Sequence, residues 1–229
     1  MNEQQIKEQI CEVCRRMWQL GWTAGNDGNI TVKLEDGNIL TTPAGVCKGF
    51  VAPELIIKTD SIGNVIEAEK KYRPSSEIKM HLRCYKERSD VNAVVHAHPP
   101  IATGFSAANK PLDGYSTIEA VLILGSVPVT PYATPSTDEV ADSIAPYLSE
   151  HDGLLLANHG ALTVGCDLQT AYCRMETLEQ LAKISLVAHL LGGEKEIDRS
   201  NIDKILSIRN GYNISGRHPG YKKYSDKGC

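Results

Sequence analysis

The run Asn92-Ala93-Val94-Val95-His96-Ala97-His98-Pro99 constrains the chain more than any other stretch. Its apolar and β-branched residues predict a buried strand, and a strand turns alternate side chains to one face, so His96 and His98 project together. Two imidazoles side by side on a pleat repel one another when protonated and gain little by packing, whereas one shared ion suits both. A second apolar run over residues 154–157 predicts another buried strand, and it ends in Asn158-His159-Gly160. Alone, a histidine at a strand end is more often a hydrogen-bonded residue than a ligand. Beside the pair, His159 completes a set of three imidazoles, which suits zinc or another late first-row divalent metal with a fourth position left open.

The frame around these residues is an ordinary globular one. With 229 residues, 41% of them hydrophobic, the chain can bury a full core, and it is read as one domain over residues 1–229. A formal net charge of −4 with no basic block excludes nucleic acid and acidic membrane surfaces as expected partners, leaving small molecules or copies of the chain itself. No apolar run reaches about 18 residues, and the polar start Met1-Asn2-Glu3-Gln4-Gln5 is unlike a signal peptide, so a cytoplasmic location is expected. Seven cysteines, an odd number, argue against a disulfide framework and for a reducing compartment. Cys11 and Cys14 form a C-x-x-C, but Ile6, Ile10, Met17 and Trp18 recur at helical spacing around them, and both thiols are read as packing residues.

Along the chain, a first helix is expected over residues 3–20, stopped by Gly21. The turn Gly25-Asn26-Asp27-Gly28-Asn29 then leads into a strand at Ile30, and its backbone N–H groups suit an anion as well as an ordinary turn. Asp36-Gly37 marks a hairpin into Ile39-Leu40-Thr41-Thr42, and Pro43-Ala44-Gly45 opens a second loop with free amides. Residues 58–64 are read as a turn between short antiparallel strands. Arg73-Pro74-Ser75-Ser76-Glu77 opens a helix running through His81 and Tyr85. Capping accounts for Ser75, Ser76 and Glu77; binding a phosphate at the helix N-terminus, with Glu77 facing a metal, is the other reading. His81, one turn after Glu77, is read as a packing or hydrogen-bonding residue. Helices are expected after Pro99, over 116–124, over 137–148, over 167–191 and near 201–209, and strands at 127–130 and 161–164. The tail from about Tyr212, with Tyr221 and Tyr224, is either mobile or folds over a site.

Taken in order, Gly28-Asn29, Thr42-Pro43-Ala44-Gly45, Pro74-Ser75-Ser76-Glu77 with His81, His96-x-His98-Pro99, Pro131-Tyr132-Ala133-Thr134 and Asn158-His159-Gly160 resemble the class II aldolase/adducin family. The resemblance covers nearly the whole chain. It implies a three-layer α/β/α fold with a central, mainly antiparallel sheet, one Zn2+ per subunit, and a homotetramer with active sites between subunits. It further implies His96, His98 and His159 as imidazole ligands, with Glu77 as both carboxylate ligand and catalytic base. Gly28, Asn29, Ala44, Gly45, Ser75 and Ser76 match positions around a substrate phosphate. The implied reaction is cleavage of a ketose 1-phosphate, such as L-fuculose 1-phosphate, to dihydroxyacetone phosphate and an aldehyde. Epimerisation, decarboxylation or dehydration on the same zinc fold is the alternative, and a non-catalytic adducin-like module a further one. Glutamate at position 77, where epimerases of the family carry aspartate, favours the aldolase branch. Two departures stand out. Ala44 and Asn26-Asp27 differ from the family's sugar-phosphate aldolases, and Thr117 occupies the place of a tyrosine that protonates the aldehyde, leaving Tyr115 or Glu119 as substitutes.

Overall fold

The computed structural model describes residues 1–212, 214, 216 and 217. Tyr221 and Tyr224 of the tail lie outside them, and Tyr212 is exposed in a short turn. Eight strands make one sheet: β1 (Asn29–Lys33), β2 (Ile39–Thr41), β3 (Ile57–Thr59), β4 (Val65–Glu67), β5 (Ala93–Ala97), β6 (Val129–Thr130), β7 (Gly153–Leu156) and β8 (Gly160–Gly165). Their spatial order is β4-β3-β2-β1-β5-β8-β7-β6, antiparallel throughout except for the β6/β7 pair. The helices are α1 (Glu3–Gln19), α2 (Ile78–Glu87), α3 (Pro100–Ala107), α4 (Asp138–Leu148), α5 (Leu168–Leu190) and α6 (Arg199–Arg209).

Period-two alternation along the central strands sorts the core into two layers. Ala93, Val95, Leu155 and Ala161 face one way, where they pack with Ile10, Cys14 and Met17 of α1, Ala102 of α3, and Met175 and Leu178 of α5. Val94, Leu154, Leu156, Leu162 and Val164 face the other way, against Met80 and Cys84 of α2 and Val140 and Ile144 of α4. The three-layer α/β/α expectation holds. His96 shares the parity of Val94, so it points toward α2, and Glu77 stands at the head of that helix. Cys11 and Cys14 are buried free thiols, as expected, and burial pushes Cys14 up to about 12. Among the described residues no helix is long and apolar enough to cross a membrane.

Two local expectations are corrected and a third is sharpened. The helix expected over 116–124 runs over 118–124: Ile118 and Glu119 are α-helical and lead into a π turn, Ala120–Leu124, closed by the Gly125 N–H on the Ala120 carbonyl and ended by Gly125 at φ +68°. Lys58 and Thr59, read as turn residues, belong to β3, where register partners in β2 claim their backbone. Glu77 is not inside the first turn of α2 but is its N-cap residue, with φ −88° and ψ 5°. Its side chain makes no cap bond because the histidines hold its carboxylate. Ser75 takes over part of the capping work, its Oγ accepting from the Glu77 N–H at 3.3 Å.

Candidate metal centre and anion loops

Antiparallel pairing gathers the chemistry at one end of the sheet. β1 begins at Asn29, directly opposite His96 of β5, and β8 begins at Gly160, one residue after His159. Their side chains converge: the imidazole centroids of His96, His98 and His159 lie 4.7–5.1 Å apart. One ligand nitrogen from each falls within 4.8 Å of the others. The His98 and His96 Nε2 atoms are 3.2 Å apart. Nitrogens at about 2.0–2.1 Å from a tetrahedral ion sit roughly 3.3 Å from one another, so this spacing fits a shared divalent metal.

Close approach of the rings depends on glycine. A Cβ on Gly160 would lie 2.6 Å from both the Ala97 carbonyl and His98 Cδ2, and 3.3 Å from His96 Cε1. Gly28 plays the same part on the other side; at φ +72°, its missing Cβ would meet the His96 carbonyl at 3.0 Å and Thr23 Cγ2 at 2.6 Å. Asn158 adopts φ +57°, a left-handed conformation that asparagine tolerates, and so turns His159 back into the site.

Glu77 closes the set. Its Oε2 lies 3.3 Å from His96 Nε2 and its Oε1 3.1 Å from His159 Nε2, while the Asn29 amide donates to Oε2 at 2.9 Å. Burial alone would raise this carboxyl, but the neighbouring His96 charge and the hydrogen bonds from His159 and His96 hold it well below the usual carboxylate range. For His96, burial acts downward and the Glu77 charge and hydrogen bond outweigh it, a net upward shift. His98 is pushed down to about 3, first by burial and then by the charges of His96 and His159. The Nδ1 of His96 lies 2.9 Å from the Ala161 carbonyl, which holds a proton on that nitrogen, so Nε2, which faces Glu77, is the nitrogen that would give up its proton to meet a metal. Three imidazoles and an ionised carboxylate form the donor set expected of a catalytic divalent metal site.

His81 sits outside the set, as expected. It is fully buried, its Nδ1 paired with Thr31 Oγ1 at 2.9 Å, and Thr31 Oγ1 is in turn 2.7 Å from the Tyr85 hydroxyl. Burial keeps its imidazole neutral, lowered to about 3.

Beside Glu77 the predicted anion loops lie together. The Ala44 N–H donates to the Arg73 carbonyl at 2.9 Å, and Pro43 forms a bridge with Pro74, which sets Gly45 next to the Ser75-Ser76 turn. Gly45, at φ +72°, has open space where a Cβ would be. Ser76 Oγ accepts from Ser136 Oγ at 2.7 Å. Asn29, read as a phosphate residue, is committed through its amide N–H to Glu77. Sequence reasoning missed Lys48, which carries no motif: its side chain is buried and its Nζ donates to the Asn26 and Val46 carbonyls at 3.0 and 2.9 Å, tying the two loops together. The two suggested proton donors lie elsewhere. Tyr115 is buried in the core layer on the α1 and α5 side, its carbonyl accepting from the Ile197 N–H, and Glu119 is exposed just before the π turn.

Comparison with known proteins agrees with this geometry. The family model described as "Class II Aldolase and Adducin N-terminal domain" matches residues 8–186. The chain is 32% identical over 212 residues to the 3-oxo-tetronate 4-phosphate decarboxylase of Escherichia coli K12, covering 90% of this chain and 96% of that protein. It is 33% identical over 184 residues to the L-fuculose phosphate aldolase of Methanococcus maripaludis strain S2, covering 80% and 97%. Among solved structures, an L-fuculose 1-phosphate aldolase superposes with a TM-score of 0.83 at 28% identity, over 91% of this chain and 96% of the other.

Proposed function

The chain belongs to the class II aldolase/adducin family, and from that premise we propose that it is a divalent-metal lyase that breaks a carbon–carbon bond in a phosphorylated ketose. The leading reading is reversible cleavage of a ketose 1-phosphate, L-fuculose 1-phosphate or a related deoxyketose phosphate, to dihydroxyacetone phosphate and an aldehyde such as L-lactaldehyde. The observation that carries it is Glu77: a carboxylate held within 3.3 Å of two ligand imidazoles, at the head of a helix flanked by two glycine- and serine-bearing loops.

His96, His98, His159 and Glu77 would hold the ion, with zinc the metal proposed. When bound, such an ion supplies Lewis acidity toward the substrate's carbonyl oxygen. The protein's own groups do the rest. The amides of Gly28 and Gly45 and the hydroxyls of Ser75 and Ser76 bind the phosphate, with Asn29 and Ala44 shaping the loops, so binding energy is gained away from the reacting bond. Once substrate takes its place, Glu77 delivers a proton to carbon of the three-carbon product and removes it in the condensation direction. For the aldehyde's proton, exposed Glu119 is better placed than buried Tyr115 to reach a neighbouring copy. A homotetramer is proposed with it, supported by the exposed Val187, Leu190 and Leu191 at the end of α5.

The test is release of dihydroxyacetone phosphate from a panel of ketose 1-phosphates before chelation, after it, and on return of zinc. Release that follows zinc supports the reading, and none from any substrate by zinc-loaded protein overturns it. Decarboxylation is the second reading, favoured by the 90% coverage of this chain in its match to the tetronate phosphate decarboxylase. Carbon dioxide release from a 3-oxo-tetronate 4-phosphate would select it.

A further inference from the structure

Two nitrogens of each metal-binding imidazole matter: one meets the ion and the other must be held. For His96 the holding group is the neutral Ala161 carbonyl. Beside His98 stands a carboxylate: Asp27 Oδ2 lies 3.5 Å from His98 Nδ1, an ion-pair distance rather than a hydrogen bond, while the opposite nitrogen, Nε2, faces His96. Resting on the metal-lyase reading above, we infer that Asp27 is a positioning residue for the metal, its carboxylate orienting His98 so that Nε2 is presented to the ion.

Backbone geometry makes this approach a built feature. The His98 N–H donates to the Trp22 carbonyl at 2.8 Å, so residues 22–28 run alongside 96–98. Gly28 allows that approach to be close, as its absent Cβ would strike the His96 carbonyl. The Asp27 N–H donates to the Ala24 carbonyl at 2.9 Å, tightening the turn, and buried Lys48 grips the preceding carbonyl of Asn26. Among the described residues the Asp27 carboxylate accepts no hydrogen bond from the amides of its own turn, so turn-capping does not account for it. Repelling a phosphate does not account for its direction either, because it is aimed at an imidazole. A carboxylate on the far nitrogen fixes the tautomer and raises the donor strength of the near one.

The test measures zinc affinity of the full chain by competition with a chromogenic chelator, for wild type, Asp27→Asn, Asp27→Ala and His96→Ala, with circular dichroism as the folding control. Asp27→Asn keeps the shape and removes the charge; it and Asp27→Ala should each bind zinc about 10–100-fold more weakly than wild type. The visible bands of the cobalt-loaded protein should shift in Asp27→Asn, which a purely structural effect on the turn would not produce. Wild-type zinc affinity in Asp27→Asn overturns the inference while leaving the metal centre intact. Wild-type affinity in His96→Ala, or no zinc bound by wild type, removes the metal centre itself and with it the reading on which the inference stands.

Discussion

The two ends of strands β5, β7 and β8 both bury charge, and they do so in opposite ways. At the end where β5 and β7 begin, Asp152 is buried between Arg88 at 2.8 Å and Arg174 at 3.0 Å. Arg88 also pairs with Asp90 at 2.7 Å and donates to the Leu148 carbonyl, while Arg174 donates to the Val164 carbonyl and the Arg217 N–H reaches Asp152. Among the described residues each of these charges meets an opposite one, and the cluster ties α2, α5, the start of β7 and Arg217 together. At the other end, three imidazoles face one another across about the width of one ion, and a single carboxylate serves two of them. The first arrangement is complete within the chain. The second is complete only with something added, which separates a structural charge cluster from a functional one without reference to any relative.

If that contrast is right, removing a carboxylate should cost activity at one end and stability at the other. Glu77→Gln keeps the shape of the side chain and removes its basicity. Proton exchange into dihydroxyacetone phosphate should fall by about 10²–10⁴-fold, with the urea midpoint close to wild type. Exchange at the normal rate would remove Glu77 as the base; a collapse in stability would make this end structural too. Asp152→Ala removes the buried carboxylate that Arg174 and Arg88 share, leaving Arg88 with Asp90 alone. It should lower unfolding free energy by about 3–5 kcal/mol while zinc affinity stays unchanged in the folded fraction. A loss below about 1 kcal/mol in urea titration would show that water, not Asp152, balances those arginines.

Glycine 160 offers a smaller, sharper probe. Its missing Cβ leaves room for backbone and for ring atoms of His98 and His96, so Gly160→Ala should cost about 1–3 kcal/mol by overpacking and weaken zinc binding as well. A variant that loses stability but binds zinc normally would mean that the rings can re-pack around the methyl and that their approach is not set by this glycine.

Much of the open end was legible in the sequence and almost none of the closed end. His96 and His98 declare themselves because strand periodicity is two and a run of β-branched residues marks the strand. Gly28, Gly45 and Gly160 were visible as turn residues, though not the reason for two of them, which is close contact with the histidine strand and rings. Arg88, Asp152 and Arg174 gave no signal, since isolated charges flanking a strand or lying on a helix read as surface residues until tertiary packing buries them. Lys48 was silent for the same reason: nothing local says that its ammonium will end inside, on two loop carbonyls. The helix over 116–124 was legible from its apolar run, but not the widening of its end into the π turn Ala120–Leu124 that Gly125 closes. Asp27 was noticed in the sequence but as a feature of its turn; only the pairing of residues 22–28 with 96–98 shows which group it faces.

The subtlest difference between the ends is in their response to pH. Buried His81, behind the open end, is lowered to about 3 in the folded chain, chiefly by burial, against about 6.5 unfolded. Between those values the unfolded state binds the extra proton, so stability is full above about pH 6.5 and falls by about 1.4 kcal/mol per unit as pH drops toward 3. His96 shifts the opposite way, so its stabilisation is present below its unfolded value and lost as pH rises through the folded one, which places its window on the alkaline side. Asp90 in the closed cluster is lowered to about 2 by its hydrogen bond to Arg88, so its contribution fades only below about pH 4. Urea titrations of chelated protein between pH 6.5 and 5 therefore isolate the imidazoles of the open end. His81→Gln should remove about 1.4 kcal/mol per unit of the slope there and on down toward pH 3. An unchanged slope between pH 6.5 and 5 would mean that His81 takes its proton inside the fold, and that the layer behind the metal centre is wetter than its burial implies.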